Sequence, residues 1–187
     1  LYWRRLISPW VIAITGSNGK TTVKEMLGRI LQANYSTLIT QGNFNNDIGV
    51  PLTLFNLSDD NRFAVLEMGA NHPLEIKYLV SIAEPDVVYV INAQAAHVAG
   101  FGSMQGVIEA KGEMYQFCMK QAIAVFNQDE PSFEFWKSIN RAKNQISFSL
   151  KQTSDLTGQS HDAVSGLSLT IKHDDTTHNC DIHVYGD

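Results

Sequence analysis

Cysteine is scarce in this sequence, and so are the hallmarks of several protein classes. Cys118 and Cys180 are the two cysteines; they lie far apart without CxxC spacing, so reduced structural thiols are expected instead of a disulfide or a zinc site. The longest apolar runs, such as Val87–Ile91, have strand length and fall far short of the roughly 20 residues that span a bilayer. The first ten residues lack the apolar stretch and cleavage site of a signal peptide. We therefore expect a cytoplasmic protein without membrane insertion.

An excess of positive charge is also absent. The 187 residues carry 14 Lys and Arg against 19 Asp and Glu, a net charge of −5, whereas nucleic-acid-binding domains are usually basic. With 44% hydrophobic and 18% charged residues, the composition is that of an ordinary globular protein, and the length suits one well-buried domain. We predict one domain, monomeric and without a nucleic-acid partner.

Apolar β-branched runs alternate with amphipathic stretches from residue 11 to about residue 150. The predicted strands are Val11–Thr15, Thr37–Thr40, Phe63–Glu67, Val87–Asn92, Ile123–Phe126 and Gln145–Phe148. The predicted helices are Thr22–Ala33, Pro73–Ala83, Gly106–Phe117 and Ser132–Asn140, with a shorter helical turn after Pro51. This alternation is typical of an α/β fold with a largely parallel sheet, and near-continuous apolar strands indicate helices on both faces.

The composition changes after Leu150, where Ser, Thr, Gln and Asp become frequent. Two segments with alternating apolar residues follow, Leu167–Ile171 and Cys180–Val184, on either side of the polar turn Asp174–Thr177. Such a pattern predicts an antiparallel hairpin at the C-terminal end of the fold.

A glycine-containing turn joins the first predicted strand to the first predicted helix. It aims backbone N–H groups and a helix N-terminus at one point, where they can hold a polyphosphate. Lys20 can reach the outer phosphates, and the Thr21 hydroxyl can bind Mg²⁺. The standard pattern GxxxxGK[ST] has a glycine where this chain has Ile14, so the motif is a variant. We predict an ATP and Mg²⁺ site formed by Gly16, Ser17, Asn18, Gly19, Lys20, Thr21 and Thr22.

The phosphate loop alone leaves other nucleotide-binding classes open. A dinucleotide site is disfavoured because GxGxxG is absent. A switch-type GTPase or small-molecule kinase is disfavoured because the guanine motif Asn-Lys-x-Asp is missing; Asn127-Gln128-Asp129 is not such a motif. A P-loop module that binds nucleotide without catalysis remains an alternative.

Other polar residues follow the ends of predicted strands. Glu67 closes its strand at the edge where parallel sheets bind ligands, and a carboxylate there suits Mg²⁺, although it also suits a solvated strand end. Asn43–Asp47 form a polar loop after the second strand, a composition that is common in turns. Asn127 and Asp129 follow the fifth strand, where they either approach the adenine or ribose or cap the loop.

Several segments together resemble the Mur ligases, the enzymes that extend the peptide stem of the peptidoglycan precursor. They are Thr15–Thr22, Gly42–Thr53, Glu67–Pro73 and Ala96–Ser103, the last followed by Glu109–Glu113. The resemblance covers about residues 10 to 187 and is most specific over the first 115 or so. It is greatest to the branch of the family that adds D-alanyl-D-alanine.

The resemblance implies roles for residues that otherwise look like ordinary polar positions. Glu67 would bind Mg²⁺, and Asn45 and Asn46 would contact the phosphates or the acyl-phosphate region. His97, in a glycine-rich loop, would bind a second Mg²⁺. Lys111, which by its neighbours looks like part of a surface charge cluster, would be carbamylated by CO₂ and become an oxygen ligand of that second ion.

The resemblance also implies an ATP-dependent amide ligation, with another Mur-type ligase as the alternative. The terminal carboxylate of a UDP-MurNAc-tripeptide takes the γ-phosphate, and the amine of D-alanyl-D-alanine attacks the acyl phosphate. Lys20, His97 and Lys111 would be the catalytic residues. Members of the family have three domains, and residues 1–187 would be an incomplete central ATP-binding domain without its flanking domains. Alone, such a chain is expected to be inactive in ligation.

Overall fold

The computed structural model describes residues 1–95, 98–163 and 166–182. The helices are α1 (Tyr2–Ile7), α2 (Lys20–Gln32), α3 (Gly49–Phe55), α4 (Glu75–Ala83), α5 (Val98–Phe101), α6 (Met104–Gln116) and α7 (Phe133–Ile139). The strands are β1 (Trp10–Thr15), β2 (Thr37–Ile39), β3 (Phe63–Glu67), β4 (Val87–Val90), β5 (Ile123–Asn127), β6 (Asn144–Ser149), β7 (Leu156–Ala163), β8 (Gly166–His173) and β9 (Thr176–Ile182). Among these described residues, no helix has the length and apolarity needed to cross a membrane.

The strands form one sheet in the order β2-β3-β1-β4-β5-β6-β7-β8-β9. Strands β1 to β6 run parallel, β7 continues parallel to β6, and β8 and β9 add an antiparallel hairpin. The predicted α/β class, the largely parallel sheet and the C-terminal hairpin are confirmed. Because β1 lies between β3 and β4, the turn that follows it starts inside the sheet and not at its edge.

The helices divide between the two faces of the sheet because the connections run in opposite directions from its centre. The crossover through α2 leads from β1 to the β2 edge, whereas those through α4, α6 and α7 lead the other way. Right-handed crossovers therefore place α2 on one face and the other helices on the opposite face. The connections that follow β1 and β3 therefore lead to opposite faces of the sheet. In sheets of this kind, ligands bind in the crevice between two such connections, beyond the carboxyl ends of the strands.

Two elements, α1 and β7, lack a sequence signal. Helix α1 has six residues and no side-chain cap; Arg4 anchors it by donating to Ala83 O at 3.0 Å and to the Asp86 carboxylate at 2.9 Å. Strand β7 has little apolar alternation and forms by pairing with β8 along its whole length. The fourth strand ends at Val90, two residues earlier than predicted, because Asn92 turns toward the phosphate loop.

Helix α6 is fixed to the sheet by Tyr115. The Tyr115 hydroxyl donates to Val125 O at 2.7 Å and accepts the Val90 N–H at 3.0 Å, so it joins β4 to β5. Its ring is fully buried beside Phe126 and Trp136. This anchor holds the preceding turn of α6, which contains Lys111, at the carboxyl ends of β4 and β5.

Candidate phosphate and metal site

The phosphate loop connects β1 to α2. Gly19 has a φ of 78°, a left-handed conformation that glycine adopts readily, and α2 begins at the next residue. The first helical bond is donated by Val23 N–H to Gly19 O at 3.0 Å, so the N–H groups of Lys20, Thr21 and Thr22 have no partner within the helix. They form an N-terminal cluster of donors of the kind that binds phosphate.

The first half of this loop is held by residues that follow β4. Asn92 Oδ1 accepts the N–H groups of Ser17 at 3.1 Å and Asn18 at 3.0 Å, and Asn92 Nδ2 donates to Asn18 O at 3.2 Å. A Cβ on Gly16 would lie 3.1 Å from the Cβ of Ile91, so the close approach of the two segments favours glycine there. Ser17 and Asn18 thus use their N–H groups within the protein, and Asn92 is a site residue without a sequence signal.

Lys20 lies folded over the loop. Its Nζ donates to Gly16 O at 2.9 Å and to Ser17 O at 3.2 Å. Burial lowers the pKa of the Lys20 amine, and the negative charge of Glu67 acts in the opposite direction. The side chain is therefore already directed at the space above the donor cluster.

Glu67 ends β3 and is almost fully buried, with 2% of its surface exposed. Its Oε2 accepts a hydrogen bond from Thr21 Oγ1 at 3.0 Å, and its Oε1 accepts one from Asn45 Nδ2 at 2.8 Å. The structure therefore brings together Thr21, Glu67 and Asn45 from three separate segments, and the solvated strand-end interpretation of Glu67 is wrong.

A second lysine of α2, Lys24, lies beside this carboxylate. It has no exposed surface, and its Nζ is 2.8 Å from Thr40 O and 3.8 Å from Glu67 Oε2. Sequence reasoning missed Lys24. The signal that points to it is its position four residues after Lys20, which places it on the same side of the helix.

The asparagine loop after β2 has two functions in the fold. Asn45 binds Glu67 through its side chain and accepts the Gly69 N–H at 2.7 Å through its carbonyl. Asn46 Oδ1 accepts the N–H groups of Ile48 at 3.2 Å and Gly49 at 2.8 Å, at the start of α3. Both asparagines line a cavity of about 290 Å³ between the phosphate loop and α6.

Lys111 lines the same cavity as Lys20. It is 3% exposed, so the surface-charge-cluster interpretation is wrong for this residue. The pKa of the Lys111 amine is lowered to about 8, chiefly by burial and also by the positive charge of Lys20, while the charges of Glu75 and Glu113 act in the opposite direction. His97, predicted to act with Lys111, lies outside the described residues.

Two carboxylates hold the cavity wall opposite the phosphate loop. Glu75 Oε2 accepts the N–H groups of Asn71 at 2.7 Å and His72 at 3.2 Å. Buried Glu113 accepts those of Leu74 at 2.6 Å and Lys77 at 3.0 Å, at the N-terminus of α4. Glu75 also lines the cavity and is a site residue that sequence reasoning missed.

The residues at the end of β5 and just after it have structural roles. Asn127 Oδ1 accepts the Asp129 N–H at 3.0 Å, and the Asp129 carboxylate accepts from Ser149 Oγ at 2.6 Å and from Leu150 N–H at 2.7 Å. These bonds cap the loop, which was one of the two interpretations open from the sequence.

The chain matches the protein family described as Mur ligase middle domain over residues 14–187. UDP-N-acetylmuramoyl-tripeptide--D-alanyl-D-alanine ligase of Haemophilus influenzae is 47% identical over 138 residues, 72% of this chain and 30% of that protein. The Escherichia coli protein of the same name is 42% identical over 171 residues, 90% of this chain and 38% of that protein. The chain therefore spans about a third of the length of these relatives.

Solved structures agree with the sequence comparison. The structure described as crystal structure I of MurF from Acinetobacter baumannii has a TM-score of 0.91 at 34% identity, over 99% of this chain and 41% of that chain. MurF ligase from Thermotoga maritima in complex with ADP has a TM-score of 0.84 at 30% identity, over 99% of this chain and 43% of that chain. The family resemblance read from the sequence is confirmed.

Proposed function

This chain belongs to the Mur ligase family, and from that premise we propose that it is the ATP-binding core of a longer ligase joining D-alanyl-D-alanine to a UDP-MurNAc-tripeptide. The observation that carries the proposal is the shared cavity of Lys20 and Lys111, which places two amines beside the phosphate loop. Flanking domains would bind the uridine nucleotide and the dipeptide. The whole enzyme would work as a cytoplasmic monomer.

The nucleotide would bind with its phosphates at the N-terminus of α2. The N–H groups of Lys20, Thr21 and Thr22 and the Lys20 ammonium would hold the phosphate oxygens, since these residues and Gly19 line one pocket. The relative from Thermotoga maritima is described in complex with ADP, which supports this assignment.

The Thr21 and Glu67 oxygens fit one Mg²⁺ ion. Two neighbouring oxygens of an octahedral Mg²⁺ site with bonds of about 2.1 Å lie about 3.0 Å apart. Thr21 Oγ1 and Glu67 Oε2 are separated by 3.0 Å. Mg²⁺ usually keeps several waters and binds substrate phosphates, so one carboxylate and one hydroxyl are a sufficient protein contribution. When bound, the ion would neutralise charge on the transferring phosphoryl group.

Lys111 is suited to carbamylation. The reaction needs the neutral amine, whose nitrogen bonds to the carbon of CO₂ and then loses a proton to give a carbamate. The lowered pKa of the Lys111 amine leaves a larger fraction of it neutral near pH 8 than an ordinary lysine has. The carbamate oxygens, with His97, would form the second Mg²⁺ site.

The chemistry would require no protein nucleophile. A substrate carboxylate oxygen attacks the γ-phosphorus of ATP and ADP leaves; the dipeptide amine then attacks the acyl carbon, and phosphate leaves as the amide forms. Lys20 would stabilise charge on the phosphoryl group, and Asn45 and Asn46 would help to orient it at the cavity wall.

Phosphate release by the full-length protein tests the proposal. It should require ATP, the UDP-linked tripeptide and D-alanyl-D-alanine together, and ATP should compete strongly against GTP. Preference for GTP would favour the GTPase alternative. Tight ATP binding without phosphate release in the presence of both substrates would favour a non-catalytic module and contradict the ligase proposal.

A further inference from the structure

Lys24 is a buried cation that the proposed reaction does not use. It has no exposed surface, although lysines are almost never fully buried unless they are paired. Removing an ammonium from water is expensive, and the cost is offset only where oxygens surround it. The position of Lys24 on α2, one turn beyond Lys20, therefore requires partners within the protein.

Among the described residues, three oxygens interact with the Lys24 ammonium. Thr40 O is 2.8 Å away, Glu25 Oε1 3.1 Å and Glu67 Oε2 3.8 Å. The Glu25 side chain is 48% exposed, so water screens its charge, whereas the Glu67 side chain is 2% exposed. Glu67 and Lys24 thus form a buried pair in which each charge acts strongly on the other.

The oxygen of Glu67 that faces Lys24 is the one that faces Thr21. Oε2 lies 3.0 Å from Thr21 Oγ1 and 3.8 Å from Lys24 Nζ. A divalent cation held by Thr21 and Glu67 would therefore lie close to a fixed positive charge in a region of low dielectric. Lys20, directed over the phosphate loop, adds a second positive charge on the solvent side.

We propose that Lys24 makes metal binding at Thr21 and Glu67 depend on bound nucleotide. Its ammonium orients Glu67 and offsets the carboxylate charge, so the empty site attracts a divalent cation weakly. A nucleotide polyphosphate brings several negative charges, and the metal then binds together with it. This inference rests on the metal site assigned under the proposed function.

Manganese binding to the full-length protein tests this role. The buffer is freed of CO₂ so that Lys111 stays an amine, and Mn²⁺ affinity is measured with and without ADP. Wild-type protein should bind Mn²⁺ with ADP and about tenfold or more weakly without it. Failure to bind Mn²⁺ even with ADP would remove the metal site itself, and with it this inference.

Lys24→Met and Lys24→Gln remove the charge, and the second keeps a donor for Thr40 O. Each should bind Mn²⁺ without ADP about tenfold or more tightly than wild type. Adding Glu67→Gln should abolish the gain, which a general change in packing would not do. Arg29→Gln, which removes an exposed charge from the same helix, serves as the matched control and should bind Mn²⁺ as wild type does.

Two further results would overturn the proposal. One is a wild-type Mn²⁺ affinity that is the same with and without ADP. This result would rule the proposal out even if both Lys24 variants fail to fold. The other is folded Lys24→Gln protein, judged by circular dichroism and melting temperature, whose Mn²⁺ affinity without ADP equals that of wild type.

Discussion

The Thr21 hydroxyl donates a hydrogen bond of 3.0 Å to Glu67 Oε2 and so joins the first turn of α2 to the end of β3. The contact follows from the sheet order, because β1 and β3 are neighbours and Ile14 pairs with Glu67. This hydrogen bond holds the two oxygens at a fixed separation. A cation bound by both oxygens would take the place of this hydrogen bond, and the hydroxyl would keep its proton.

Glu67→Gln should remove the effect of Mg²⁺ on nucleotide binding. The amide keeps the size of the side chain but loses the charge that Mg²⁺ requires. We expect Mg²⁺ to strengthen ADP binding about tenfold or more in wild type and much less in the variant, as an estimate from the loss of one charged ligand. Calorimetry with Mg²⁺ and with EDTA measures both affinities.

Asp60→Asn, an exposed substitution elsewhere, is the control for Glu67→Gln. It should respond to Mg²⁺ as wild type does. An equal Mg²⁺ effect in Glu67→Gln and wild type would show that Glu67 is not a metal ligand.

Lys20→Ala should weaken ATP binding and leave the fold intact. The lost charge-assisted contact to phosphate is expected to cost about 2 kcal/mol, which is about thirtyfold in affinity. Among the described residues, the Lys20 Nζ donates to two carbonyls of its own loop, so melting temperature should change little. Calorimetry measures the ATP affinity, and Arg29→Ala is the control. An unchanged ATP affinity in Lys20→Ala would contradict the proposed role of Lys20.

Tyr115→Phe should destabilise the fold strongly for a change of one oxygen atom. It leaves the Val90 N–H and the Val125 carbonyl without their bridging hydroxyl in the core. Buried groups without partners cost about 1 to 3 kcal/mol each, so we expect a loss of about 2 kcal/mol or more in urea denaturation. Tyr78→Phe, at a half-exposed tyrosine of α4, should change the free energy of unfolding by less than about 0.5 kcal/mol.

The parallel sheet was predictable from local pattern, because β1, β3, β4 and β5 are apolar runs that the helices separate. What the sequence did not indicate depends on distant contacts. Helix α1 needs Arg4 to reach Ala83 and Asp86, and β7 needs β8 as its partner. Neither dependence leaves a periodic signal in the segment itself.

A candidate site could be proposed from the sequence where one segment carries the chemistry, as in the phosphate loop. Lys24 and Asn92 were missed because each binds groups far away in sequence, and Glu75 because the cavity that it lines is formed by distant segments. A lysine, asparagine or glutamate alone carries no such information. Lys111 shows the limit of local reasoning most clearly. Its neighbours suggest a solvated helix face, whereas the packing of α6 against the sheet buries it.

The stability of the protein should depend on pH through Lys111. Its folded pKa of about 8 lies below the ordinary 10.5, so the unfolded chain binds the proton more strongly between these values. Below pH 8 the folded state carries the full cost of the buried ammonium, and the cost disappears as pH rises toward 10.5. Lys111→Met should therefore gain stability relative to wild type at pH 7.

Urea denaturation in CO₂-free buffer measures this dependence. The advantage of Lys111→Met over wild type should shrink by about 2 to 3 kcal/mol between pH 7 and pH 10, as an order-of-magnitude conversion of the pKa difference. Packing differences between Lys and Met do not depend on pH and cancel in this comparison. The same advantage at both pH values would show that Lys111 is not held with a lowered pKa.

The ligation rate of the full-length protein at saturating bicarbonate tests whether Lys111 is carbamylated. Lys111→Ala should lose most ligation activity while ATP binding persists, because Lys20, Thr21 and Glu67 are unchanged. Lys111→Arg should fail equally, since a guanidinium stays positive and cannot become an oxygen ligand. Lys120→Arg, at an exposed lysine, should keep full activity. Near-wild-type turnover of Lys111→Arg would show that a positive charge suffices at this position and that no carbamate forms there.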